Sequence, residues 1–166
     1  MQSTSTSRRH LSVYSLISTL NVLTDWNKRN NPSNSAVLGQ AMFLFEKLVV
    51  YQKALSFAEC ISDITSKFPR GCWYLADQLN RASLSISLNI AEGNGRWTAA
   101  DKKNFFGVAR GSVHECVPLL EICRRKGLIN DLNCAKLKAD LEEISKMLSG
   151  LIERTNQAKT ERRGER

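Results

Sequence analysis

Apolar side chains at Val50, Ala54, Phe57, Ala58, Ile61, Ile64 and Phe68 recur at spacings of three and four until Pro69 interrupts them. That rhythm predicts one apolar face of a helix about six turns long. It returns three times. From 73 to 92, Leu75, Leu79, Ala82, Ile86 and Ile90 form an inward set, and Gly93 is expected to end the helix as its C-terminal glycine. The third helix is expected to start at Thr98, whose hydroxyl can cap the amide of Ala100 or Asp101, and to turn Phe105, Ala109, Ser112, Cys116, Leu120 and Cys123 inward. Asp101 near its start, and Arg124, Arg125 and Lys126 ahead of Gly127, suit the two ends of its dipole. Pro118 deletes one backbone hydrogen bond and crowds the carbonyl of His114, so a kink is expected there. The fourth helix, capped near Asn130 or Asp131, carries Cys134, Leu137, Leu141, Ile144, Leu148 and Leu151 in strict alternation of three and four. Such a seam packs at shallow angles, and the short links at 69–72, 93–97 and 127–130 make sequential helices antiparallel. The predicted fold is all-α, an antiparallel up-down four-helix bundle over residues 42–155.

The ends of the chain lack this pattern. Residues 1–41 read as a poorly ordered N-terminal extension, rich in Ser, Thr and Asn, with a linker-like run from Asn27 to Ser35. The stretch 11–23 follows Arg8 and Arg9 as the apolar part of a secretory or transit peptide would. Five Ser, Thr or Asn residues dilute it, no small-residue cleavage site follows, and it is too short to span a bilayer. A loose extra helix and a start codon assigned ahead of Met42 are both open readings. Residues 156–166 form a polar tail, expected to fray beyond Thr155.

Length and composition narrow the class further. A chain of 166 residues suffices for one core, and with three prolines and nine glycines it has too few breakers for a sandwich of short strands. The net charge of +8 is concentrated at the ends, where residues 1–41 hold four cations against one acid and residues 153–166 five against three. Charge in tails raises affinity for any polyanion but is weaker evidence for a nucleic-acid surface than a basic patch on a rigid element. Five cysteines, at 60, 72, 116, 123 and 134, form no CxxC pair, and four fall on apolar helical faces, so they read as small buried hydrophobes in a reducing cytoplasm. With only His10 and His114 besides, no metal site and no cofactor are implied.

Catalytic constellations do not assemble. His114 and Glu115 lack the second histidine of HExxH, and the glycines at 93 and 95 follow a helix instead of joining a strand to one, as phosphate and dinucleotide loops require. Two other features stand out. Gln78, Arg81, Ser85, Asn89 and Glu92 form a polar stripe along one side of the second helix, expected to satisfy one another and the turn from Gly93 through Gly95 to Arg96 at a subunit contact. On the third helix Lys103, Arg110, His114 and Arg125 share one outward sector opposite the core, with Gly107 beside them and Glu121 interrupting. These four are the candidate nucleic-acid-binding residues, against the plainer reading of a solvated charged face. Apolar Phe43, Leu44, Leu48 and Val49 exceed what the first helix needs inward, which predicts self-assembly.

The stretch Phe45-Glu-Lys-Leu-Val-Val-Tyr-Gln-Lys-Ala54, then Gln78 to Ala82, then Ser85-Ile-Ser-Leu-Asn-Ile-Ala-Glu-Gly-Asn-Gly-Arg96, then Ala109-Arg-Gly-Ser112, closely resembles a bacterial family of four-helix bundle proteins. That family is associated with intervening sequences inserted in 23S ribosomal RNA genes, and the resemblance covers about residues 43–155. It implies the up-down bundle and ring-shaped pentamers; a related branch includes accessory proteins of diversity-generating retroelements, which associate with a reverse transcriptase and nucleic acid. Tyr51 stands where Trp is common and Leu88 where a small residue or Pro is usual; Pro118 and the long extension are also departures. The resulting expectation is a cytoplasmic, non-enzymatic homo-oligomer that associates with RNA or a nucleoprotein and not with a membrane; the alternative is a protein–protein scaffold without nucleic acid.

Overall fold

The computed structural model describes residues 43–164, with side chains placed through residue 157. The extension, including the helix considered at 11–23, lies outside the described residues. A 3-10 turn at Leu44–Lys47 leads into α1 (Val49–Thr65), a second at Arg70–Cys72 into α2 (Trp73–Gly95), and then come α3 (Ala99–Arg125) and α4 (Asp131–Gly164). Each helix packs on the next in sequence, and α1 also meets α4. Cross-helix bonds fix the directions. Thr65 meets Asn80, Gln78 meets Glu115, Ser85 meets Ser112, Glu121 meets Lys138 and Arg124 meets Asp131, so position falls along one helix as it rises along its neighbour. The up-down bundle is therefore observed as predicted, closed between first and last helices by Lys53 and Glu143 at 2.9 Å.

The inward sets explain why the helices associate. Twenty of the predicted core positions are buried, five from each helix, and form one cluster apart from Ser112, which is buried beside it. Cys60, Val113 and Ile129 join it from positions the three-and-four spacing skipped. Three expected members, Ala58, Phe68 and Leu151, are only half-buried. Phe105 is a correction: the buried ring is Phe106, and Phe105 is half-buried with Arg96 stacked over it at 4.5 Å. Either residue lies one turn before Ala109, and the opposing backbone decides between them, because Gly93 has no Cβ to obstruct Phe106.

The helix ends follow local chemistry. Thr98 Oγ1 accepts from the Asp101 amide at 3.0 Å, and Asn130 Oδ1 accepts from the Asn133 amide at 2.7 Å, so both predicted caps form. Gly127, at φ +70°, closes α3 in a Schellman turn, with the Leu128 amide donating to the Cys123 carbonyl and the Gly127 amide to that of Arg124, each at 2.9 Å. Gly93 does not terminate α2, which runs on to Gly95. Pro118 lies on the exposed side of α3, and the helix continues through it. Beyond Thr155, where a polar tail is expected, α4 continues. Residues 156–163 include Gln, Ala, Lys, Glu and Arg and have neither Pro nor Gly, and their intrinsic preference carries the helix to Gly164.

Candidate functional site

The polar stripe of α2 forms the seam with α3. Ser85 Oγ and Ser112 Oγ share a hydrogen bond of 2.9 Å, Asn89 Nδ2 donates to the Ser85 carbonyl and hydroxyl at 2.8 and 3.0 Å, and Gln78 Nε2 donates to Glu115 Oε1. Glu92 pairs with Arg96 one turn on, and Arg81 stands 3.9 Å from Asp77. Arg96 covers the Phe105 ring, and Gly93 lets Phe106 reach the backbone. Gly95 faces open space where a Cβ would go. The Gln78–Glu115 and Ser85–Ser112 bonds hold α2 against α3 and the Glu92–Arg96 pair fastens the turn between them, so Gln78 and Arg81 find their partners outside the stripe.

The cationic face of α3 divides in two. Lys103, Arg110 and His114 are exposed and, among the described residues, make no ion pair or side-chain hydrogen bond. They span about 16 Å of a continuous helix. Beside Lys103 a shallow hollow of about 500 Å³ opens where Ala100 and Gly107 leave the helix backbone thinly covered. Arg125 does not join them. Its Nε donates to Glu121 Oε1 at 3.0 Å, and the same carboxylate accepts from Arg124 at 2.7 and 3.1 Å and from Lys138 at 2.8 Å. Those three cations hold the Glu121 carboxyl well below the usual carboxylate range, and Arg124 extends the network to Asp131 at 2.8 Å. Glu121, which in sequence only interrupts the stripe, is the staple joining α3 to α4.

A second hollow, of about 510 Å³, lies at the far end of the α1–α2 hairpin, lined by Thr65, Ser66, Phe68, Trp73, Tyr74, Ala76 and Asp77. The spacing of apolar positions does not mark it, because Trp73 and Tyr74 fall within the start of α2; adjacent aromatics just before the first inward leucine are its signal in the sequence. The cysteines are thiols outside any disulfide, four buried and Cys72 half-buried. Burial pushes the Cys116 thiol up to about 12 and Cys123 to about 11, which keeps both protonated and unreactive at neutral pH. Among the described residues no three His, Cys, Asp or Glu side chains gather to hold a metal, and no helix is long and apolar enough to cross a membrane.

Residues 46–150 match the family described as 23S rRNA-intervening sequence protein. A crystal structure of a protein with unknown function from the S23 ribosomal protein family of Bacteroides thetaiotaomicron VPI-5482 is 27% identical. It superposes with a TM-score of 0.57 over 63% of this chain and 98% of that one. No curated protein matches significantly.

Proposed function

The chain belongs to the 23S rRNA-intervening sequence protein family, and from that premise we propose that it is a non-catalytic, self-assembling bundle that associates with RNA or a nucleoprotein. The observation that carries this reading is the exposed line of Lys103, Arg110 and His114, two cations and an imidazole without protein partners among the described residues, on a helix held rigid by the bundle. Cations so placed keep their charge for an outside polyanion, and phosphate contacts of this kind are electrostatic and poorly specific in sequence. One subunit offers few of them. Assembly would multiply the line and convert weak contacts into useful avidity. Exposed Phe43, Leu44 and Val49 supply apolar surface for that assembly, whereas Leu48 is tucked against the core; a ring of five is the arrangement the family resemblance favours.

The test is a gel shift with generic RNA across a salt series, run beside light scattering. Binding at about 50 mM salt that collapses as salt rises supports the reading. No binding at that salt would move the protein to the second reading, a scaffold for other proteins, which the exposed apolar Leu84, Leu88 and Trp97 favour. A monomer at micromolar concentration would remove self-assembly from either account.

A further inference from the structure

We propose that the hollow at the α1–α2 end is a subsite for one unpaired RNA base bearing an exocyclic amine, stacked on Trp73 and Tyr74 and read by Asp77. This rests on the RNA reading above and extends it from charge to base recognition.

The aromatics stand out by construction. Inward positions of α2 begin at Leu75 and Leu79, so the two residues before them face away from the core, Trp73 67% and Tyr74 60% exposed. The turn at Arg70–Cys72 sets the start of α2 beside the end of α1, and half-buried Phe68 lines the hollow between them. Flat apolar walls suit a planar ligand.

The polar lining narrows its chemistry. The Thr65 hydroxyl donates to the Ile61 carbonyl at 2.9 Å and accepts from Asn80 at 2.8 Å, while Ser66 Oγ donates to the Asp63 carbonyl at 2.8 Å. Both hydroxyl protons are thus spent within α1. The polar groups left over in the lining are the Trp73 indole N–H, the Tyr74 hydroxyl and the Asp77 carboxylate; of these only the carboxylate is charged, it accepts only, and its one ion-pair contact among the described residues is Arg81, at 3.9 Å. A matching ligand must present a flat face and an edge that donates. The amine edges of adenine, cytosine and guanine do so; uracil flanks its single donor with two carbonyl oxygens that the carboxylate repels.

Charge then separates a base from the other flat donor, an arginine side chain of a partner protein. Arg70 is exposed on the turn just ahead of Trp73 and makes no ion pair among the described residues, and the whole chain carries +8. Such surroundings repel a cationic peptide and attract the phosphate that accompanies a base.

The experiment uses the full chain with Trp26→Phe and Trp97→Phe, leaving Trp73 as sole reporter, titrated with octamers of A, C and U at low salt. Expected are quenching of Trp73 by the A and C octamers with affinity about tenfold above that for U, and loss of this preference in Asp77→Asn. Trp73→Ala, followed by gel shift, should weaken the A and C complexes about tenfold while Trp73→Phe retains most of the affinity. Octamers that bind, and are weakened by Lys103→Gln with Arg110→Gln, yet neither quench Trp73 nor respond to Asp77→Asn, would overturn the subsite and leave the basic face standing. Failure of every octamer to bind would overturn both. Quenching by an oligoarginine peptide but by no octamer would overturn the proposal and make the hollow a protein-docking site.

Discussion

Gly93 of α2 and Phe106 of α3 divide a single volume between them: a Cβ built on the glycine would stand 2.8 Å from the ring's Cε1 and 2.9 Å from its Cδ1. The ring cannot swing aside cheaply, because it is buried and Phe105 Cβ lies 3.1 Å from the same point. Within a helix, Gly→Ala ordinarily gains about 1 kcal/mol. Here overpacking opposes that gain and outweighs it. Gly93→Ala is expected to cost a net 1–2 kcal/mol, roughly, in urea unfolding. Combining it with Phe106→Leu should cost less than the sum of the two changes, since the smaller side chain vacates the contested space. A stabilised Gly93→Ala variant would show that the seam opens freely.

The Glu121 staple makes the α3–α4 hairpin sensitive to acid. Three cations favour the ionised carboxylate in the folded chain, so its pKa is lowered relative to the unfolded chain. A lowered pKa contributes stability that is fully present above the unfolded value, about 4.3, and is lost as pH falls through the folded one. Thermal melts of the native chain and of Glu121→Gln should therefore differ most near neutrality and begin to converge as pH falls below about 4. A difference unchanged by pH would mean that the contacts of Glu121 are steric and not ionic.

Thiol chemistry offers an independent reading of the core. Cys60, Cys116, Cys123 and Cys134 are buried, and burial keeps Cys116 and Cys123 protonated, whereas Cys72 is half-buried at the start of α2. Under native conditions one equivalent of a thiol reagent should react first, at Cys72, and the remaining thiols should follow only as the bundle opens. Mass mapping of the label checks this, and early labelling of Cys123 or Cys134 would place the α3–α4 end out of its described packing.

Particular residues show what a linear reading could and could not supply. The inward sets of α2 and α4 were legible because spacing of three and four has one geometric meaning on a helix. Phe105 against Phe106 was not, since both fall a turn before Ala109 and the choice lies with Gly93 on another helix. In sequence Gly93 looks like a terminator because glycine's two uses, a left-handed turn and a close approach, leave the same letter; Gly127 has the first and Gly93 the second. The continuation of α4 beyond Thr155 carries no apolar period, so only intrinsic helix preference marks it. In the candidate site, the pairing of Glu121 with Arg125 could have been foreseen from their separation of four, a favourable acid-before-base order. Its further bonds to Lys138 depend on which helices become neighbours.

That pairing ranks the cations of the proposed RNA face. Lys103 and Arg110 have no acidic partner to surrender among the described residues, whereas Arg125 must leave Glu121 before it can meet a phosphate. The exchange replaces one charge-assisted bond by another, so its net gain is small. Changing Lys103 or Arg110 singly to Gln is expected to weaken RNA binding and to reduce the slope of log affinity against log salt by about 0.7 each, the value for one single-strand phosphate contact. Arg125→Gln should leave that slope nearly unchanged, and its effect should be seen instead as a modest fall in melting temperature. The reverse order, with Arg125 dominating the salt dependence, would mean that the Glu121 staple opens on binding and that the interface lies at the α3–α4 turn. Equal slopes for all variants would move the contacts off α3 altogether and onto the charged ends of the chain, where residues 1–41 and 153–166 hold nine of its cations.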